Sequence, residues 1–143
     1  MSGIRMTRGS TLSDVAEYAY SSKIDFSDAE LIFTAGACPL APNGTTVAVG
    51  DVAGQAAQVM ANLEQALADA GAALTDVMQT TVYVASADRR DLVAAWTVVR
   101  DGFGDHAPPS TLLGVAALGY PDQLVEVTAT AVRTSAGQPR HAS

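Results

Sequence analysis

The chain has 143 residues, which fits one domain, and its 48% hydrophobic content is enough for a core and argues against wholesale disorder. The formal net charge is −7, Lys23 is the only lysine, and the arginines are scattered apart from Arg89 and Arg90. That balance argues against a nucleic-acid groove, which needs clustered cations to neutralise phosphates.

Residues 1–14 are polar and unpatterned and read as a loosely held segment. Residues 18–24 alternate weakly, which suggests a strand. Residues 31–35 (LIFTA) are rich in β-formers and read as a buried strand. Between 36 and 50, Pro39, Pro42, Asn43-Gly44 and Gly50 signal turns.

Residues 51–70 carry the clearest helical pattern. Val52, Ala56, Val59, Met60, Leu63, Ala66, Leu67 and Ala70 recur at three- and four-residue spacing and share one face. Asp51 is placed to cap the N-terminus and Gly71 to end the helix. Residues 76–86 then read as a β-branched strand. A second helix is expected over 88–103, with Leu92, Ala95, Trp96, Val99 and Phe103 along one side. Pro108-Pro109 cannot continue it. Residues 111–118 and 124–132 are the last two strands, joined through Gly119-Tyr120-Pro121-Asp122, and residues 135–143 form a polar tail.

The expected organisation is therefore an N-terminal segment (1–14), one domain (15–134) and a tail (135–143). Two amphipathic helices among these strands imply an α+β fold, with both helices packed on one face of a mixed sheet. The opposite sheet face would stay apolar and exposed in a monomer, so an oligomer is expected.

A single cysteine, Cys38, rules out an intrachain disulfide and a multi-cysteine metal site. It suits a reducing cytoplasm and is expected to be a small packed thiol rather than a nucleophile. The N-terminus lacks the apolar stretch of a secretory signal, and no apolar run reaches membrane-spanning length. His106 stands where it could cap the second helix. Glu126 stands inside an apolar run, between Val125 and Val127. Burying it unpaired would be costly, so it is either a carboxylate on the strand's solvent side or a group working in a cleft.

Several pieces recur in a set order: Ala19-Tyr20-Ser21, Phe33-Thr34-Ala35-Gly36 before Pro39-Leu40, Thr80-Thr81-Val82-Tyr83-Val84, Phe103-Gly104-Asp105-His106, and Pro108-Pro109 leading to Glu126. Over residues 18–133 this order resembles the Rid (RidA/YjgF) family of enamine and imine deaminases. The resemblance implies a chorismate-mutase-like fold, a homotrimer, and three clefts between subunits that bind a small molecule without cofactor or metal.

By the same resemblance, Glu126 places the attacking water. Backbone groups at Gly36 and Ala37, and at Thr111 and Leu112, complete the site, and Tyr20 comes from a neighbouring subunit. The family's substrate-gripping arginine falls on Ser110, and a helix position that faces the neighbouring cleft falls on Trp96. Serine offers one neutral donor and cannot clamp a carboxylate as a guanidinium does. Ser110 and Thr111 read equally as ligand contacts or a polar loop exit, and Trp96 as cleft wall or core packing.

The expected function is a cofactor-free hydrolase or deaminase of a C=N or enamine bond, acting on something other than the usual 2-imino acids. The alternative is a non-catalytic metabolite-binding trimer. RNA cleavage is the least favoured reading, given the acidic charge.

Overall fold

The computed structural model describes residues 4–8, 11 and 17–134. Four strands form the main sheet: β3 (Ala29–Phe33), β4 (Val77–Val84), β5 (Ser110–Gly114) and β6 (Val125–Thr134), in the order β3-β6-β4-β5. β6 pairs antiparallel with both β3 and β4, whereas β4 and β5 are parallel. A parallel pair needs a crossover, and helix α2 (Arg89–Phe103) supplies it. Helix α1 (Val52–Asp69) joins β3 to β4 through a 3₁₀ turn at Leu74–Asp76.

Alternation along the strands decides what faces the helices. Val125, Val127, Ala129 and Ala131 of β6 and Val82 and Val84 of β4 are buried against Val59, Leu63 and Leu67 of α1 and Ala95 and Val99 of α2. Both helices are capped by aspartate. Asp51 accepts from Gly54 N–H at 2.9 Å, and Asp88 accepts from Arg90 N–H at 2.9 Å. Gly71 and Gly104 follow the two helices with φ of +83° and +62°, conformations that glycine adopts without strain.

The expected α+β arrangement is present, and the structure adds detail to it. A strand β1 (Arg5–Thr7), in a segment read as unpatterned, pairs antiparallel with β2 (Ser21–Lys23). Three-residue strands of polar residues leave no periodic signal. His106 closes the end of α2 through its backbone N–H, which donates to the Phe103 carbonyl at 3.2 Å, and its ring Nε2–H donates to the Val77 carbonyl at 2.7 Å, tying the helix exit to the start of β4. The sheet face away from the helices mixes threonines with the expected exposed apolar residues. Thr81, Thr111, Thr128 and Thr130 lie on it, with Phe33 (74% exposed), Leu31 and Leu113 as its exposed apolar members. Threonine keeps the β-branched shape that strands favour while presenting a hydroxyl. The tail from residue 135 onward lies outside the described residues.

Candidate functional site

Glu126 is the second residue of β6, opposite Tyr83 of β4, and its parity turns it away from the helices. The chain leaving β3 returns beside it: Ala37 and Val127 exchange backbone hydrogen bonds at 2.8 and 3.2 Å. This brings Gly36 under the carboxylate. A Cβ at Gly36 would lie 2.6 Å from Glu126 Cδ and closer still to Oε2, so only glycine lets the side chain lie there.

Two side chains hold the other oxygen. Gln123 Nε2 donates to Glu126 Oε1 at 3.0 Å, and Cys38 Sγ donates to the same atom at 3.3 Å. Among the described residues, Oε2 accepts no hydrogen bond. The donors are themselves fixed. Gln123 is buried, accepts from Tyr120 N–H at 3.0 Å and donates to the Val125 carbonyl at 3.1 Å. The Cys38 carbonyl accepts from Asn62 Nδ2 at 2.8 Å.

Gln55, wholly buried on α1, donates to the Asp122 carbonyl and accepts from Leu124 N–H, both within 2.8 Å. It thereby clamps the turn that delivers Glu126. Burial, the hydrogen bond to Glu126 and the repulsion of that carboxylate push the Cys38 thiol from 9.0 up to about 11. Cys38 therefore stays an S–H donor at neutral pH and is no thiolate nucleophile.

Ser110 lies elsewhere. It opens β5 opposite Thr80, on the helix side of the sheet, and its hydroxyl is shared with Thr80 Oγ1 at 2.5 Å and the Pro108 carbonyl at 3.0 Å. Glu126 pairs with Tyr83 and Ser110 with Thr80. The two are thus offset by roughly 10 Å along the strands and about 10 Å across them, on opposite faces. Leu112 packs on the core from the same side as Ser110, while exposed Thr111 points to the threonine-rich face.

Trp96 and Ser110 line one small crevice, with Glu17, Arg100 and His106. Trp96 Nε1 donates to Glu17 Oε1 at 3.2 Å, and Arg100 is ion-paired to Glu17 and to Asp101. A guanidinium does reach the neighbourhood of Ser110, but two carboxylates already neutralise it. Of the adjacent pair Arg89 and Arg90, Arg90 is ion-paired to Asp88.

Trp96 meets Tyr18 edge-on, and Tyr18 meets Tyr20, with ring centroids 6.1 and 6.0 Å apart. Tyr20 lines a separate cleft of about 410 Å³ with Phe26, Leu31, Met78 and Thr130. Thr130 is four residues along β6 from Glu126, roughly 13 Å.

The expected residues therefore divide. Gly36, Ala37 and Glu126 come together at one end of β6. Ser110, Leu112, Trp96 and Tyr20 do not join them within one chain. Cys38 does more than pack, and Gln55 and Gln123 join the site with no counterpart among the expected residues. Gln55 carries a readable signal, because it occupies the apolar stripe of α1 between Val52 and Val59. Among the described residues no helix is long and apolar enough to cross a membrane, and no cluster of three His, Cys, Asp or Glu could hold a metal ion.

Residues 11–133 match the family model described as Endoribonuclease L-PSP. A RutC family protein of Pyrococcus abyssi is 33% identical over 102 residues, covering 71% of this chain and 78% of that protein. Among solved structures, a Rid family protein of Yersinia pestis, itself of unknown function, superposes with a TM-score of 0.83 at 26% identity, over 90% of this chain and 98% of that one. TdcF of E. coli, solved with bound serine, superposes with a TM-score of 0.64 at 26% identity, over 90% and 94%. The chain belongs to the Rid/YjgF (L-PSP, RutC) family, and its α+β fold of two helices on a mixed sheet matches that family's structures.

Proposed function

We propose that this Rid-family chain is a cofactor-free hydrolase of a small imine or enamine, with Glu126 as the group that places the attacking water. The observation that carries this reading is the asymmetric carboxylate: Oε1 is held by two donors, and Oε2 lies against Gly36 without one. A carboxylate so held accepts one proton from water. The hydroxide adds to the imine carbon, and the nitrogen takes up the proton that Glu126 removed, which returns Glu126 to its carboxylate form. The resulting carbinolamine loses ammonia and leaves a carbonyl. No redox partner is needed.

The split between Glu126 and the other expected residues supports a cleft built from two copies, as in a trimer. One copy would supply Glu126 with the Gly36 and Ala37 backbone, and the other Tyr20 and Trp96 as walls. Thr111 and Leu112 would contribute backbone groups. Ser110 stands where the resemblance places a carboxylate-gripping arginine, and Arg100 nearby is already neutralised by Glu17 and Asp101. The substrate we favour is therefore neutral or aromatic rather than a 2-imino acid. The net charge of −7 argues against RNA as the substrate.

The test uses imines generated in place by an amine or amino-acid oxidase, with ammonia release followed in the presence and absence of the protein. Acceleration on neutral or aromatic imines that is lost in Glu126→Ala, with the assembly intact, supports the reading. Equal acceleration by Glu126→Ala refutes it. Strong preference for 2-aminoacrylate would refute the substrate assignment.

A further inference from the structure

Glu126 is held by a pair of side chains that the proposed hydrolysis does not itself require. Cys38 and Gln123 both donate to Oε1, at 3.3 and 3.0 Å, and among the described residues the only other acceptor within reach of the Cys38 thiol is the Gly36 carbonyl at 3.4 Å, on the same side of the site. Gln123 is 4% exposed and all of its polar atoms are engaged, through Tyr120 N–H, the Val125 carbonyl and Glu126 itself. Cys38 is anchored through its carbonyl by Asn62, which also binds the Leu40 carbonyl at 3.0 Å and is braced by Gln58 at 3.0 Å. On the third side Gly36 leaves room for Oε2 and for nothing larger. A carboxylate on a strand would otherwise rotate freely about its last torsion, presenting either oxygen.

We propose that Cys38 and Gln123 are positioning residues for Glu126: by holding Oε1 from two directions they leave Oε2 as the single oxygen that meets a water or ligand. The proposal rests on Glu126 being the water-placing group for its kinetic consequence, but not for its geometry. Cys38 suits this task because its own ionisation is suppressed. A thiolate there would face the carboxylate with a like charge.

Two measurements test the inference separately from the hydrolysis reading. The first titrates Cys38 by its rate of alkylation with iodoacetamide against pH. In the intact protein the midpoint is expected near 11, and in Glu126→Ala it moves down toward 9.0. A change of access alone would scale the rate without moving the midpoint. An unmoved midpoint overturns the proposal whatever the enzyme does.

The second compares kcat and KM for imine hydrolysis in Cys38→Ala, Gln123→Met and Cys38→Ser. The first two are expected to lose roughly 10-fold in kcat with KM little changed, each lacking one charge-assisted donor. Cys38→Ser keeps a donor and should keep most of the parent kcat. Unchanged kcat in the first two, or a Cys38→Ser protein as slow as Cys38→Ala, indicates a structural role only and overturns the proposal. If Glu126→Ala hydrolyses as fast as the parent while the alkylation midpoint moves, the water-placing role fails and the held carboxylate stands.

Discussion

Around Glu126, polar side chains converge on one oxygen and leave its twin unclaimed. Around Ser110 and Trp96, each polar group has found a partner that satisfies it. Ser110 is bound to Thr80 and Pro108, Trp96 to Glu17, and Arg100 to Glu17 and Asp101. The first region keeps unspent hydrogen-bonding capacity beside a glycine that clears space for it. The second spends its capacity on tying the segment before β2 to α2, and β5 to β4. Residue type alone does not distinguish a site from scaffolding. The difference lies in what each group has left to offer.

The largest effect that would break this contrast is expected from Gly36→Ala. Its methyl group would strike the Glu126 carboxyl, which must then move. Hydrolysis should fall by about 100-fold, since displacing a reacting group by about 1 Å has that effect, and stability by about 1–3 kcal/mol. Kinetics with a thermal melt separates the two losses. An active Gly36→Ala protein would remove the argument for a crowded carboxylate.

Gln55→Ala comes next. It strands the Asp122 carbonyl and the Leu124 N–H and should cost about 1–3 kcal/mol in denaturant titrations. Because that turn delivers Glu126, activity should fall with it. Ser110→Ala should be milder, lowering stability by about 0.5–1.5 kcal/mol through the lost Thr80 bond and changing KM by less than about 10-fold. A larger KM change would put the Ser110 hydroxyl on the ligand and dissolve the contrast.

A further effect is on alkaline stability. The folded state raises the Cys38 thiol from 9.0 to about 11, so between those values it binds more protons than the unfolded chain. Stability should therefore fall as pH rises from 9 to 11, and Cys38→Ser should lack that part of the fall. Denaturation midpoints across this range check it.

Much of the fold was legible in the residues. Asp51, the apolar stripe from Val52 to Leu67 and Gly71 marked α1, and the caps and the periodicity agree with one another. β1 was not legible, because Arg5, Met6 and Thr7 acquire strand geometry only by pairing with Ser21–Lys23. Glu126 and Gly36 were legible through family resemblance. Their contact was not, because it depends on how the chain after β3 folds back onto β6. The partners of Ser110 were hidden for a similar reason. The Ser110–Thr80 bond exists because β4 and β5 run parallel in one particular register. Gln123 carries no sequence signal, because a glutamine beside an apolar run shows neither that it will be buried nor that a carboxylate will be its partner.

The most direct test of the account is the hydrolysis of a neutral or aromatic imine by Glu126→Gln, which keeps the side chain's shape and removes its ability to take a proton. The account predicts a fall of about 100-fold or more with an unchanged melting profile. A rate equal to that of the parent protein would contradict it.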